Sequence, residues 1–397
     1  MMKNLVRTVL LIFIFLISSL HAMSLDEIIA KALNQNHYLA SITQRIAANQ
    51  SNIDASDQFS NPTLSYAHNT LKSSEKMSRS TMSFQQKLPY FNKRDTRRRV
   101  AIAQGDVLSE NLEQAKVSLS KAIKNQAYSI WESRALLQTI REYEKLTQQN
   151  IELFESYTRT VGNQHMGIMS AELTLSDLHI QKSTLEAKHY KAYTRLSYLA
   201  SFEVKNLLLA LHIDALPKRS ELLEKLRHNH DLALREKKIL KSQAMVKNAE
   251  INNYPDFNLL GAYNYRQNYD DYWSFSVGMT LPVYGTEDDK EEEARKLLLS
   301  EQSLKADTQV AINSEFESAY QQLKSAYKIY HIINNEALPQ VEHMFDLTAS
   351  SISTGGDLFK YIDILVKKLK LEQKSIMTVA SYYRANAEIL ALSGTLK

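Results

Sequence analysis

The sequence predicts a mainly α-helical protein with membrane β-strands, built from two copies of one structural plan. Two observations support this fold class: hairpins of alternating apolar and polar residues, and a constant spacing between matching residues of the two halves. A third is the scarcity of residues that break helices. The 397 residues include only nine glycines and six prolines, and proline is poorly tolerated inside a helix. We therefore expect long helices and two hairpins, with each strand about long enough to cross a bilayer.

The stretch 255–282 has the clearest strand pattern. In its second half apolar side chains alternate with small or polar ones, which is the period of a strand with two unlike faces. The apolar set, which we expect to face lipid, is Trp273, Phe275, Val277 and Met279. A soluble antiparallel sheet with one buried face would alternate in the same way. This hairpin alone would favour the soluble sheet. The signal segment, the duplication, the aromatic residues at both ends of the stretch and the long flanking helices together favour a membrane barrel.

The same plan occurs earlier in the chain at a constant offset. Pro62 corresponds to Pro255 (255 − 62 = 193), and Gly162 corresponds to Gly355 (355 − 162 = 193). A repeated offset of this kind indicates an internal duplication. We expect a first repeat at 23–216, with a hairpin at about 62–89 and a tip at about 161–167, and a second repeat at 217–397, with a hairpin at about 255–282 and a tip at about 354–357.

Residues 1–22 have the pattern of a secretory signal peptide. Lys3 and Arg7 precede a short apolar run, and small residues precede a predicted cut after Ala22. Removing this segment leaves 46 basic and 44 acidic residues, so the formal charge becomes 46 − 44 = +2. This near-neutral balance argues against a general nucleic-acid partner. The chain has no cysteine, so we expect no thiolate metal site and no lipid anchor on an N-terminal cysteine.

Apolar stripes at steps of three and four predict long helices of coiled-coil type. The first runs from about 93 to 160, which is on the order of 100 Å at 1.5 Å per residue. A second helix at about 170–201 should fold back along it. In the other half, a helix begins near 287, is interrupted at Pro339, and is followed by a last helix at about 358–392.

Four strands per chain are too few to close a barrel, because known single-chain membrane barrels begin at eight strands. Two chains would supply eight strands, whose interior is filled by side chains. Three chains would supply twelve and leave a lumen. A conduit made from this chain therefore needs at least three copies.

Three short segments carry a resemblance to a known family. They are Gln86–Arg94, with its Leu-Pro-Tyr-Phe turn; Leu281–Gly285, its second copy; and Leu338–Glu342, with Gly355 following sixteen residues after Pro339. With the duplication, they resemble the TolC-type outer-membrane efflux family over nearly the whole mature chain. The third segment is similar to the heavy-metal branch of CusC- and CzcC-like proteins.

This resemblance implies a homotrimer with a long α-helical coiled-coil barrel in the periplasm and a 12-stranded transmembrane β-barrel in outer-membrane lipid. It also implies passive export of heavy-metal cations or drugs. The partners it implies are a periplasmic adaptor and an inner-membrane pump of RND or ABC type. Two alternatives stay open: a type I protein secretion channel, and a periplasmic coiled-coil adaptor or structural protein with no pore. We expect no enzymatic activity and no cofactor, since no catalytic or phosphate-binding motif is present.

The chain reversals supply the candidates for the periplasmic tips and gate: Gly162, Gly167, Gly355, Gly356, Asp357 and Asp363. Either of the first two glycines fits the first turn. Three copies of Asp363 around a narrow opening would attract cations, whereas the alternative for Asp363 is a solvated helix residue.

Three residues near the first tip could bind a soft metal: His165, Met166 and Met169. Such residues in a polar turn are more often solvated surface. We therefore predict no metal site.

Overall fold

The computed structural model describes residues 22–69, 78–158, 165–352 and 358–395. As predicted, the chain is mainly helical and carries a four-stranded antiparallel sheet. It forms two compact units. The strand-bearing unit consists of Ala40–Gln114 and His230–Ala311. The helical unit consists of the chain up to Leu39, Ala115–Asn229 and the chain from Ile312 onward.

In chain order the elements are β1 (Met23–Ser24), α1 (Leu25–Gln35), α2 (His37–Ser56), β2 (Thr63–Asn69), β3 (Arg79–Leu88), α3 (Lys93–Thr158), α4 (His165–Ala200), β4 (Leu207–Leu208), α5 (Arg219–Lys225), α6 (His230–Asn252), β5 (Asp256–Arg266), β6 (Tyr272–Thr280), α7 (Thr286–Ile332), α8 (Leu338–Ile352) and α9 (Leu358–Leu392). A 3₁₀ turn at Leu226–His228 precedes α6, and a π-helical turn at Ile333–Ala337 joins α7 to α8.

Matching elements of the two halves begin at the offset found in the sequence. The starts of α2 and α6 differ by 230 − 37 = 193, those of α3 and α7 by 286 − 93 = 193, and those of α4 and α9 by 358 − 165 = 193. Each compact unit contains segments of both halves. This spacing supports the proposed duplication, while the repeat boundaries themselves stay a prediction.

The sheet has the strand order β2–β3–β5–β6, and every neighbouring pair is antiparallel. Both hairpins lie inside the predicted stretches. The helices attached to these strands are neighbours in the matching order α2–α3–α6–α7. Hydrogen bonds and ion pairs join α2 to α3, α3 to α6 and α6 to α7. Three of these contacts are Asn49 to Ala101 (2.9 Å), Thr96 to Asn248 (3.1 Å) and Arg295 to Glu250 (3.3 Å).

The helical unit contains two apolar clusters. One surrounds the start of the chain, where Ser24 and Glu27 form a capping box that begins α1. Its fully buried members include Ile28, Ile123 and Leu196. The other cluster joins α3, α4 and α9, and its fully buried members include Ile140, Leu178 and Leu365. Within the described ranges, none of the helices combines the length and apolar character needed to cross a membrane.

The predicted interruption at Pro339 is wrong in position and kind. The helix departs from α geometry earlier, in the π-helical turn Ile333–Ala337, and α8 then starts at Leu338. Pro339 has no backbone N–H to donate to the carbonyl oxygen of Asn335, which lies in that turn, so the wider turn accommodates the proline. A π-turn inserts an extra residue per turn without ending the helix. The chain consequently stays helical from Thr286 to Ile352.

Candidate functional site

One face of the sheet is apolar and uncovered in the single chain. The exposed fractions are 66% for Trp273, 83% for Phe275, 72% for Val277 and 54% for Met279. The four side chains lie on one face of β6, and the strand register continues that face across the sheet; that this face contacts lipid stays a prediction. The exposed apolar side chains that it adds are Leu64, Tyr66, Met82, Phe84, Leu259, Tyr263 and Tyr265.

The opposite face is polar and carries hydrogen bonds between strands. Ser65 and Ser83 lie 2.7 Å apart across β2 and β3. Asn264 accepts a hydrogen bond from Thr81 at 2.9 Å and donates one to Ser274 at 2.9 Å, which links β3, β5 and β6. Polar ladders of this kind satisfy side chains that face away from an apolar surface. The sheet therefore has one face suited to lipid and one suited to water.

Gly261 lies on the apolar face and has no side chain, so the Phe275 ring packs over its backbone. A Cβ atom at this position would lie 3.5 Å from Cε1 of Phe275, its cross-strand neighbour. The Phe275 ring also stacks on Trp273, with centroids 6.4 Å apart and an interplanar angle of 11°. The centre of the apolar face is thus an aromatic surface laid over a glycine.

Both edges of the sheet are open. Among the described residues, β2 pairs with β3 alone and β6 pairs with β5 alone. The outer N–H and C=O groups of such strands are a template for pairing with another strand. The described sheet thus combines an uncovered apolar face with two open edges.

A buried lysine fixes the junction between strand and helix. Lys93, the first residue of α3, contacts Oδ1 of Asp256 at 2.9 Å and donates to the carbonyl oxygen of Tyr254 at 2.6 Å. The backbone N–H of Tyr90 donates to the same carboxylate at 2.9 Å. The rings of Tyr90 and Tyr254 stack with centroids 4.6 Å apart. These contacts hold the end of β3 beside the start of β5, at the point where α3 begins.

Aromatic side chains lie at or just beyond both ends of the strands, as predicted. At the helix end, Phe91 is 78% exposed and Tyr284 is 93% exposed. At the other end the exposed rings are Tyr265, Tyr269, Tyr272 and Trp273. This arrangement is typical of the interfacial girdles of membrane barrels.

The described residues that flank the two predicted tips belong to the helical unit. Gly162, Gly355, Gly356 and Asp357 are outside the described residues, so their assignment stays a prediction. Gly167 is described and lies in the first turn of α4 rather than between the helices.

Gly167 is required for a close approach between the two tips. A Cβ atom on it would lie 2.9 Å from Cβ of Leu358, the first residue of α9. The first turns of α4 and α9 therefore pack directly together. Around this contact is an apolar cluster of Tyr361, Ile362, Leu365, Ala171 and Leu178.

Asp363 is exposed on α9 and forms an ion pair with Lys367, with Nζ 2.7 Å from Oδ2. The two side chains are 52% and 58% exposed. Both readings of Asp363 made from the sequence, a gate residue and a solvated helix residue, allow this geometry. The ion pair nevertheless means that a local positive charge accompanies the carboxylate.

Met166 and Met169 belong to an exposed seam that the sequence analysis missed. They are 76% and 67% exposed, and Leu173 and Ile180 on the same helix are 74% and 67% exposed. Positions 166, 169, 173 and 180 follow the a and d spacing of a heptad repeat. We call these four residues the α4 seam. Among the described residues, no three His, Asp or Glu side chains lie close enough to hold a metal ion.

A hydrogen-bonded pair of a buried tyrosine and a half-buried carboxylate joins α3 to α9. Tyr143 is 6% exposed and hydrogen-bonds Glu372. Burial raises the pKa of the Glu372 carboxyl, while the Tyr143 hydrogen bond and the charge of Lys368 act in the opposite direction. Lys368 lies 3.5 Å from Glu342 on α8 and 4.0 Å from Glu372. This cluster ties three helices together just above the tips, and nothing in the sequence pattern indicated it.

The sequence matches no protein-family model and no curated protein. Solved outer-membrane channels are similar in structure. The outer-membrane channel OprN has a TM-score of 0.79 at 15% identity, and the match covers 93% of this chain and 89% of that one. VceC from Vibrio cholerae has a TM-score of 0.78 at 14% identity, covering 94% of this chain and 97% of that one. This chain has the outer-membrane channel fold.

A third channel of this fold is CusC, with a TM-score of 0.79 at 12% identity, covering 94% of this chain and 92% of that one. CusC and OprN have equal TM-scores, so the channel fold does not favour the heavy-metal branch. The matched structures are channels rather than enzymes, which agrees with the expectation of no enzymatic activity. Identities of this size show the channel fold alone.

Proposed function

We propose that three copies of this chain form an exit duct through the outer membrane for an efflux system. The observation that carries the proposal is the uncovered apolar face of a four-stranded sheet whose two edges are open. Pairing of β6 of one copy with β2 of the next would satisfy both edges and continue the apolar face around a closed surface. The polar face, with its ladders of Ser, Thr and Asn, would then line a water-filled lumen.

Three copies are the smallest number that supplies a lumen. Three chains contribute 3 × 4 = 12 strands, whereas two contribute eight, and an eight-stranded barrel is filled by its own side chains. The α4 seam is a second uncovered apolar surface, and its heptad spacing suits packing against a helix of another copy. The long helices would then form a tunnel that extends the passage into the periplasm.

In this function the duct conducts passively and its tips receive a periplasmic adaptor, which links it to an inner-membrane pump of RND or ABC type. The pump selects the cargo, whether heavy-metal cations or drugs. A type I secretion channel would use the same duct with a different pump. The adaptor that co-purifies with the full chain would therefore distinguish efflux from secretion.

The test starts from fractionation of cells that express the full chain. We expect the protein in the outer membrane, running as a trimer on an unheated gel and as a monomer after heating. Purified protein should insert into planar bilayers and give discrete conductance steps. A periplasmic protein with no pore would stay in the soluble fraction and give no conductance, and that result would overturn the proposal.

A further inference from the structure

The exposed face of the first half of α9 carries a stripe of lysines, flanked by the exposed side chains of Phe359 and Met377. Lys360, Lys367, Lys370 and Lys374 are all exposed, and their spacing of seven, three and four residues places them on one side of the helix. Asp363 lies on the same side, between the first two lysines. We call these four lysines the α9 stripe.

The α9 stripe differs in charge from the helices beside it. Residues 358–377 contain five lysines and two acidic residues, so their net charge is 5 − 2 = +3. Residues 338–352 of α8 contain two acidic residues and no lysine or arginine, for a net charge of −2. Residues 165–182 of α4 contain one lysine and two acidic residues, for a net charge of 1 − 2 = −1. The positive charge near the tips is thus concentrated on one helix face.

This face is built to contact water. Lysine is depleted from the cores of protein interfaces because its ammonium group is strongly hydrated. The opposite side of α9 is the one that packs: Tyr361, Ile362 and Leu365 are almost fully buried. The α4 seam differs from the α9 stripe in composition, because it carries apolar residues at the a and d positions of a heptad. The α4 seam therefore suits contact with another helix, whereas the α9 stripe suits contact with water.

We propose that the α9 stripe lines the passage of the duct near its tips and makes that passage attract small anionic solutes. The inference rests on the proposed function and on the sequence-based gate assignment of Asp363, because residues on the same side of the helix as Asp363 must then face the passage too. Lys367 offsets the charge of Asp363 at 2.7 Å. The remaining lysines leave an excess of positive charge, and three copies would repeat it around one opening.

Rings of like charge in a narrow, water-filled passage set which ions enter it. The walls focus the field, so local concentrations of the opposite charge rise. The expected solutes carry carboxylate, phosphate or sulfonate groups. This is the reverse of the cation preference expected from Asp363 alone, an expectation that did not include its lysine neighbours.

The test measures the reversal potential of single channels across a KCl gradient. The wild-type chain should prefer chloride. The triple variant Lys367→Gln/Lys370→Gln/Lys374→Gln should lower the chloride-to-potassium permeability ratio by at least about threefold. The matched control removes the same charge from exposed lysines outside the helical tips, with Lys205→Gln, Lys218→Gln and Lys225→Gln combined. We expect the control to keep the wild-type ratio.

A labelling experiment tests the position of the stripe without removing several charges at once. The chain has no cysteine, so Lys370→Cys provides a single reactive thiol. Reaction with the anionic reagent 2-sulfonatoethyl methanethiosulfonate should lower the conductance of inserted channels and shift their preference toward cations. Lys205→Cys should react without either change.

Two results would overturn the inference while leaving the duct intact. One is a conducting wild-type channel whose ion preference is the same in the triple variant and after labelling of Lys370→Cys. The other is loss of the trimer in the triple variant, with Lys370→Cys protected from the reagent, which would make the stripe a contact between copies. A wild-type protein that gives no conductance would instead refute the proposed function itself.

Discussion

Replacing Phe275 with arginine tests which face of the sheet contacts lipid. Phe275 is the fourth of nine residues in β6, so it lies near the middle of the strand. It is 83% exposed in the single chain, which means that the substitution removes little packing within the chain. The cost should therefore come from placing a charged side chain in hydrocarbon.

That cost is about 2–4 kcal/mol for an arginine near the bilayer midplane of a β-barrel. It corresponds to roughly a 30- to 700-fold change in the folding equilibrium, at tenfold per 1.4 kcal/mol. Ser276→Arg is the matched control, because it introduces the same side chain one residue later on the polar face. We expect Ser276→Arg to cost much less, since its charge would reach a water-filled lumen.

The assay is urea unfolding of the trimer in lipid vesicles, followed by the gel shift between unheated and heated samples. Fractionation of cells that express each variant provides a second readout. Phe275→Arg should lose stability and accumulate outside the outer membrane, while Ser276→Arg should assemble. Equal loss of assembly in both variants would refute the assignment of the lipid-facing side.

Three further predictions concern contacts that the structure describes. Lys93→Met leaves the Asp256 carboxylate without its cation at the strand–helix junction, so the free energy of unfolding should fall by about 1–3 kcal/mol in chemical denaturation; an unchanged value would mean that the contact at 2.9 Å adds nothing. Gly167→Val places a branched side chain against Cβ of Leu358 and should cost about 1–3 kcal/mol through overpacking. A melting temperature equal to that of wild type would contradict the close approach of the tips. Burial raises the pKa of the Glu372 carboxyl in the folded state above its ordinary 4.5. The folded state therefore binds this proton more tightly than the unfolded state does. The free energy of unfolding consequently falls as the pH rises from 4.5 through the folded pKa. Glu372→Gln should therefore be more stable than wild type at about pH 8 and no more stable at about pH 4, and a difference that does not depend on pH would refute the assignment.

The sequence predicted the elements whose signals are local. The apolar alternation at 273–279 and the prolines at both ends of each hairpin placed the strands, since side-chain period and proline position depend on neighbouring residues alone. The last helix was predicted at about 358–392 and begins and ends at those residues. Its stripe of buried residues has the period of a helix packed on one side.

The tip region was harder to predict because its features depend on helix phase and on distant contacts. The sequence pattern starts the corresponding helix near residue 170, so Met166 and Met169 fall in a polar turn, where solvated surface is the expected role and a soft-metal site the alternative. Since α4 begins at His165, the same residues continue a heptad and form the α4 seam. The contact between Gly167 and Leu358 joins residues almost two hundred positions apart, and no local pattern specifies it.

The most direct test of the account is to count chains and strands in the assembled protein. Electron cryo-microscopy of the full chain in lipid nanodiscs should show three copies around one axis. Their twelve strands should form a closed barrel with Phe275 toward lipid and Ser276 toward the lumen. A monomer or dimer with an open or soluble sheet would contradict the proposal that this chain forms a trimeric outer-membrane duct.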